Sequence, residues 1–313
     1  MAKEKTGGKS GEAGLTELRQ QIDAIDDALL KLLIERVGLV EKVGEIKHKG
    51  AKAQHSIIRP GREASMIRRM VKESEGKLSP TAVAQLWRII ISSACCIEEE
   101  SHISTLASHE TSECYWMARE YFGAFTPISK RPTTMEVVKD VVEKTVTVGV
   151  LPVWDEASPK PWWVRVAETE KPPMVFAKLP FLRAAPSKKT PVLCVGYVEP
   201  EETGDDHTLW VVTAEETISY DAIETALKDA TQAPLSLVHH YRQVGTPTQR
   251  FYLVDVKGFR PASDAAIEKF TKVLNKLHAR ATPASIHVLG CYATPLELVE
   301  GLATDVKEKQ AKA

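Results

Sequence analysis

The chain has 313 residues, with 41 lysines and arginines against 42 aspartates and glutamates. So even a balance argues against nucleic acid or an anionic membrane as a general partner, and the length suits two or three domains. Five cysteines, at 95, 96, 114, 194 and 291, have neither metal-ligand spacing nor an even disulfide framework, and read as thiols of a reducing cytoplasm. No apolar run reaches membrane-spanning length.

Residues 1–14 are rich in Lys and Gly, lack an apolar signal core, and read as a disordered tail. Leu15 to Lys47 then predicts one long helix. From Leu18, the positions Ile22, Ile25, Leu29, Leu32, Arg36, Leu39, Val43 and Ile46 alternate steps of four and three, the seam of a helix that lies along other helices. Some thirty residues make a rod of roughly 45–50 Å, too long to be covered by the next fifty residues, so a partner chain is expected. Arg36 interrupts the seam with a charge. Burying a guanidinium without a counter-charge costs several kcal/mol, and the nearest carboxylate, Glu35, points about 100° away along the helix. Lys47 returns to the same face three turns on. Either Arg36 pairs with a carboxylate across a dimer interface, or the missing anion belongs to a ligand.

A second helix starts at Arg59-Pro60-Gly61-Arg62-Glu63, turns Met66, Ile67, Met70 and Val71 inward, and ends near Gly76. Ser79-Pro80 opens a third helix, with an apolar stripe through Val83, Leu86, Trp87, Ile90, Ile91 and Ala94. The next position on that stripe is Glu98, a second misplaced charge. It is either an inward acid or part of the exposed run Glu98-Glu99-Glu100.

Leu18-Arg19-Gln20-Gln21-Ile22-Asp23-Ala24-Ile25-Asp26, then Glu35-Arg36, Lys47 and Arg62-Glu63 resemble the all-helical AroQ class of chorismate mutase over residues 15–100. The resemblance implies three helices interleaved with a second copy, and two sites that convert chorismate to prephenate. By position it implies Arg19 donated across a homodimer, Arg36 and Lys47 binding substrate with Arg62, and Glu63 meeting the substrate hydroxyl. Glu98 stands where many members use glutamine, and implies a carboxyl that must be protonated to donate. Mutase activity is then expected to fall as pH rises. Ala94 and Arg59 depart from the family's frequent serine and aspartate. No cofactor or metal is implied.

Residues 101–205 change character. Helix signals at Glu113–Tyr121 and Met135–Lys144 and an apolar strand at Val146–Val153 predict an α/β segment. Ala118-Arg119-Glu120-Tyr121-Phe122-Gly123 and Val148-Gly149-Val150-Leu151-Pro152-Val153 are similar to the first lobe of prephenate dehydratase. The segment is short for that family's two lobes, and Thr208-Leu209-Trp210 is the nearest match to its Thr-Arg-Phe triplet, without the arginine. Residues 206–295 read strand, helix, strand, strand, helix, strand, with Gly245-Thr246-Pro247 as the hairpin turn. That is a ferredoxin-like βαββαβ order. Phe251-Tyr252-Leu253-Val254-Asp255-Val256 and His287-Val288-Leu289-Gly290-Cys291-Tyr292 resemble the phenylalanine-binding ACT domain, although His240-Tyr241-Arg242-Gln243 replaces its Glu-Ser-Arg-Pro motif. An aromatic amino acid is the implied effector, and residues 296–313 read as a tail.

The expected architecture is therefore α+β and multidomain: a helical mutase domain, a reduced dehydratase-like segment and an ACT-like domain. The expected function is a cytoplasmic chorismate mutase of aromatic amino-acid synthesis. The alternatives are a non-catalytic sensor of aromatic metabolites, which could do without Lys47, and a bifunctional mutase-dehydratase, which needs the missing triplet.

Overall fold

The computed structural model describes residues 8–49, 58–74, 77–98, 101–107, 112–124, 126–155, 158–184, 190–245, 248–277 and 284–298. The chain divides into two compact units, Met1–His55 and Ser56–Ala313. The first holds α1 (Gly8–Lys49), a single helix of 42 residues. It starts at Gly8, so residues 8–14, expected as tail, extend the rod. No proline lies between Gly8 and Lys49, so the helix can propagate back through that stretch despite its glycines. Its seam residues Leu18, Ile22, Ile25, Leu29, Leu32, Leu39, Val43 and Ile46 are exposed.

The second unit contains α2 (Pro60–Glu73), α3 (Pro80–Glu98), β1 (Ile103–Leu106), α4 (Glu113–Phe122), β2 (Ile128–Arg131), α5 (Thr134–Val142), β3 (Val148–Pro152), α6 (Trp162–Ala167), β4 (Met174–Leu179), β5 (Leu182–Ala184), β6 (Val192–Gly196), β7 (Asp206–Glu215), α7 (Tyr220–Thr231), β8 (Leu235–Gln243), β9 (Gln249–Lys257), α8 (Ala265–Leu277), β10 (Ser285–Ala293) and β11 (Leu296–Leu298). Pro60 begins α2 as its fixed φ allows. At α3 the Ser79 hydroxyl accepts the Ala82 N–H at 3.1 Å, and Thr133 and Ser219 cap α5 and α7 in the same way.

Nine strands form one mixed sheet in the order β2-β1-β3-β6-β4-β10-β7-β9-β8. β1 runs parallel to β2 and β3, β6 is antiparallel to β3 and β4, and β10, β7, β9 and β8 are antiparallel in turn. Strands from the two segments expected on either side of residue 205 thus share a sheet. Their joint is one parallel bridge, Gly290 to Val175. A Cβ at Gly290 would lie 2.0 Å from the Val175 carbonyl oxygen, so only glycine permits this approach. β11, in the stretch expected as tail, pairs with β5.

Side chains alternate across the sheet as the pleat requires. Leu151, Leu193, Val195, Leu209, Val211 and Leu253 face α5 and α6, with Trp162 and Trp163 in that core. On the opposite face, Val148, Val150, Val192 and Cys194 meet α2, α3 and α4, while Trp210, Val212, Tyr252 and Val254 meet α7 and α8. The α2–α3 hairpin therefore packs on the sheet body, with Val83, Ile91 and Ala94 of the expected α3 stripe buried and the buried face shifted at one edge from Leu86 to Arg88. Leu86 is 54% exposed, whereas Arg88 is only 8% exposed. Arg68 ties α2 down further, donating to Thr203 Oγ1 and to the carbonyls of Asp205 and Thr294 at 2.7–2.9 Å.

Candidate functional site

On α1, Arg19 is exposed and Arg36 half-buried. Seventeen residues apart, they stand about 25 Å from each other along the axis, too far to hold one small molecule from one chain. Lys47 lies on the last turn of α1 and Glu98 ends α3, but both side chains fall outside the described residues.

The start of α2 gathers the other candidates. Glu201 sets its carboxylate against the helix N-terminus, accepting the Arg62 N–H at 3.1 Å and Arg59 Nε at 2.8 Å. Exposed N–H groups and the helix dipole favour an anion there. A Cβ at Gly61 would lie 2.6 Å from Glu201 Cβ, so the glycine makes room. The Arg62 side chain itself is exposed, while Glu63 is buried. Arg88 Nη1 donates to Glu63 Oε2 at 2.7 Å, with each side chain only 10% exposed. The guanidinium carbon also lies 3.9 Å from the centre of the Tyr121 ring and 5.7 Å from that of Phe181. Burial works against the charge of Arg88, but Tyr121 and Glu63 outweigh it and the group is held more firmly cationic than usual. Burial also pushes the Tyr121 phenol far up, so it stays protonated.

Arg62 and Glu63 are thus neighbours at one helix start, whereas Arg19, Arg36 and Lys47 belong to the other unit. Arg88, Tyr121 and Glu201 were missed from sequence. The signal for Arg88 was present: it is a charge inside the apolar run Leu86-Trp87-Arg88-Ile89-Ile90-Ile91.

A second polar cluster sits where β4, β7, β9 and β10 meet. Asp255 accepts from His207 Nδ1 at 2.7 Å, from Lys178 Nζ at 3.1 Å, and from the Tyr292 hydroxyl. Burial alone would raise the Asp255 carboxyl, but these three donors together hold it below the usual range. Thr208-Leu209-Trp210 is built into the core. Its threonine hydroxyl donates to Gly258 O and accepts the Arg260 N–H, and Leu209 and Trp210 are buried. That placement leaves the triplet no substrate-facing group. Among the described residues, no three His, Cys, Asp or Glu side chains are arranged to hold a metal ion, and no helix is long and apolar enough to cross a membrane.

The family described as chorismate mutase type II matches residues 18–99. Residues 18–99 are a type II chorismate mutase domain. Curated relatives of the chain include the bifunctional chorismate mutase/prephenate dehydratase of Aquifex aeolicus (strain VF5), 35% identical over 143 residues. That of Stutzerimonas stutzeri is 32% identical over 142 residues. Each alignment takes in 44% of this chain, and the chain spans 38% of the length of each relative. The aligned length exceeds the mutase domain, so the likeness continues beyond it. The T-protein of Enterobacter agglomerans is 38% identical over 95 residues, 30% of this chain and 25% of that protein. Among solved structures, prephenate dehydratase from Streptococcus mutans aligns with 62% of this chain and 97% of its own, at 16% identity and a TM-score of 0.41. Prephenate dehydratase from Arthrobacter aurescens in complex with L-Phe aligns with 68% and 100%, at 10% identity and 0.43. Scores of this size carry no assignment beyond the mutase domain.

Proposed function

We propose that the chain converts chorismate to prephenate in the cytoplasm, as a homodimer whose sites combine α1 of one copy with helices of the other. The observation that carries the reading is the family match over residues 18–99, a range that includes Arg19, Arg36, Lys47, Arg62 and Glu63. The rearrangement needs no nucleophile and no proton transfer. It needs the compact conformer of a dicarboxylate held in place and donors where negative charge grows on the ether oxygen. Arginine forks suit the carboxylates, and a mobile lysine suits the ether oxygen. Exposed apolar rows on α1 and on α3, at Leu86 and Ile89, support assembly, since neither is covered within its own unit. Glu63 reaches the substrate only if Arg88 holds it by the second carboxylate oxygen or releases it.

The bifunctional reading is favoured by one observation, the length over which the bifunctional relatives align. Against it stands the core position of Thr208-Leu209-Trp210. The βαββαβ half of the sheet is proposed as the ACT-like domain, with an aromatic amino acid as its effector, on the strength of its strand order. Purified protein supplied with chorismate tests these readings together. Loss of chorismate absorbance with prephenate as the end product supports the mutase alone, and phenylpyruvate adds the dehydratase. Unchanged chorismate leaves the non-catalytic sensor.

A further inference from the structure

The face of the α2–α3 hairpin that carries Glu63 is already covered. Ala64 and Ile67 of α2 and Ala84 and Ile91 of α3 share one core with Met117, Tyr121 and Phe122 of α4. Glu63 lines a cavity of about 360 Å³ in this contact, together with Ile91, Tyr121 and Phe122. A chain of contacts runs from the sheet body to its carboxylate. The rings of Tyr121 and Phe181 hold the Arg88 guanidinium, and Arg88 Nη1 donates to Glu63 Oε2 at 2.7 Å. The row of α3 that stays open is a different one. Ile89 is 60% exposed and Ile91 6%, and a separation of two residues puts them about 160° apart around the helix.

Catalysis as proposed above requires Glu63 to meet the substrate beside α1 of a second copy, and the seam of α1 is itself uncovered. Two apolar surfaces, α4 and a partner's α1, therefore compete for one face. Exchanging one cover for the other exposes little net apolar area, so the hydrophobic effect does not forbid the exchange. The ties that favour the present cover are polar: Arg68 to Thr203 and to the Asp205 and Thr294 carbonyls, and Glu201 to Arg59 and the Arg62 N–H. Polar contacts are typical of interfaces at which domains of one chain move against each other. We propose that the docked hairpin is an off state of the mutase site, in which α4 stands where α1 of a second copy stands during catalysis. The inference rests on the mutase reading and adds its regulation. Chorismate and a partner's α1 bind the released hairpin, and the sheet body binds the docked one.

Arg68→Ala in the full chain is the deciding variant, because Arg68 bonds to the sheet body rather than to the implied site residues. If docking is an off state, release raises the competent fraction. KM for chorismate then falls by about threefold or more, the scale of losing a charged contact, while kcat holds. If docking is only structural, removing a positive charge does not tighten the hold on a dianion. A KM that is unchanged or raised overturns the proposal. Hydrogen exchange on the wild type gives a second reading that depends on no variant folding. Saturating chorismate should speed exchange across Glu113–Phe122, as α4 loses its cover, and unchanged or slower exchange there overturns the proposal as well. A wild type that leaves chorismate untouched removes the mutase reading itself, and this inference with it.

Discussion

Arg88 and Glu63 bring opposite charges into the contact between the α2–α3 hairpin and the sheet body, and the consequence is measurable. Removing one member of a buried pair strands the other, at a cost of about 3–5 kcal/mol, while replacing both with apolar groups is often close to neutral. Urea unfolding of Arg88→Met, Glu63→Leu and the double variant should therefore show two badly destabilised singles and a double variant more stable than either. If the costs simply add, the pair is not the unit of stability there. A different outcome is expected at Arg36. Arg36→Ala should keep its helical circular dichroism while kcat/KM for chorismate falls by orders of magnitude, since loss of one such donor commonly costs about 3–4 kcal/mol of barrier. Unfolding instead would make Arg36 an interface ion-pair partner. The two arginines also differ in how well they could be read. Arg36 was legible because a regular seam surrounds it, and one charge in a seam of eight stands out. Arg88 was not, because the stripe chosen for α3 put Leu86 inside. Val83, Ile91 and Ala94 of that stripe are buried as expected, and Arg88 joins them at the edge where Leu86 had been placed.

Single elements were legible where a long apolar run or a cap marks them. The cap signal Ser79-Pro80 places the start of α3, and the apolar runs expected at Thr208–Thr213 and Arg250–Lys257 fall within β7 and β9. What stayed hidden was which elements touch. No local pattern announces that Val175 will bridge to Gly290, and the three-residue strands β5 and β11 are too short to show a period. At that bridge, Gly290→Ala would drive a methyl group into the Val175 backbone, which side-chain movement cannot relieve. A large drop in melting temperature is expected, well beyond the roughly 0.5–1 kcal/mol that separates glycine from alanine in ordinary strands or helices. A change no larger than that would mean β4 and β10 can part without loss. The neighbouring Asp255 cluster predicts a pH dependence. The native carboxyl lies below its ordinary value, so its stabilisation is fully present above the unfolded pKa of about 3.9 and is lost as pH falls through the lower native value. Asp255→Asn should accordingly melt below the wild type at neutral pH, with the gap closing as the solution is acidified below about pH 4. A gap that stays constant with pH would show that the carboxylate charge contributes nothing there.

For the whole molecule, the length of α1 and its exposed seam make the central prediction. Neither Arg19→Ala nor Lys47→Ala protein should turn over chorismate alone. After subunit exchange, mixed dimers should regain activity, because one of their two sites is then intact. Proven mixed dimers without activity, or a wild-type monomer in sedimentation that still turns over, would falsify the composite site. The rod was visible in the sequence as a heptad-like seam. The attachment of the α2–α3 hairpin to the sheet was not, since it depends on contacts such as Arg68 to Thr294 that join distant parts of the chain. The β4–β10 bridge bears also on how the molecule comes into being. On the ribosome, β1, β3, β6 and β4 emerge early, at about 5–20 residues per second, yet β4 lacks its neighbour until residues 285–293 have been made. Until then one long flank of β4 presents unpaired backbone groups, the kind of edge that invites foreign strands. The interval before residues 285–293 are made is therefore the one in which foreign pairing along β4 is open, and the Gly290–Val175 bridge is the contact that begins to close it.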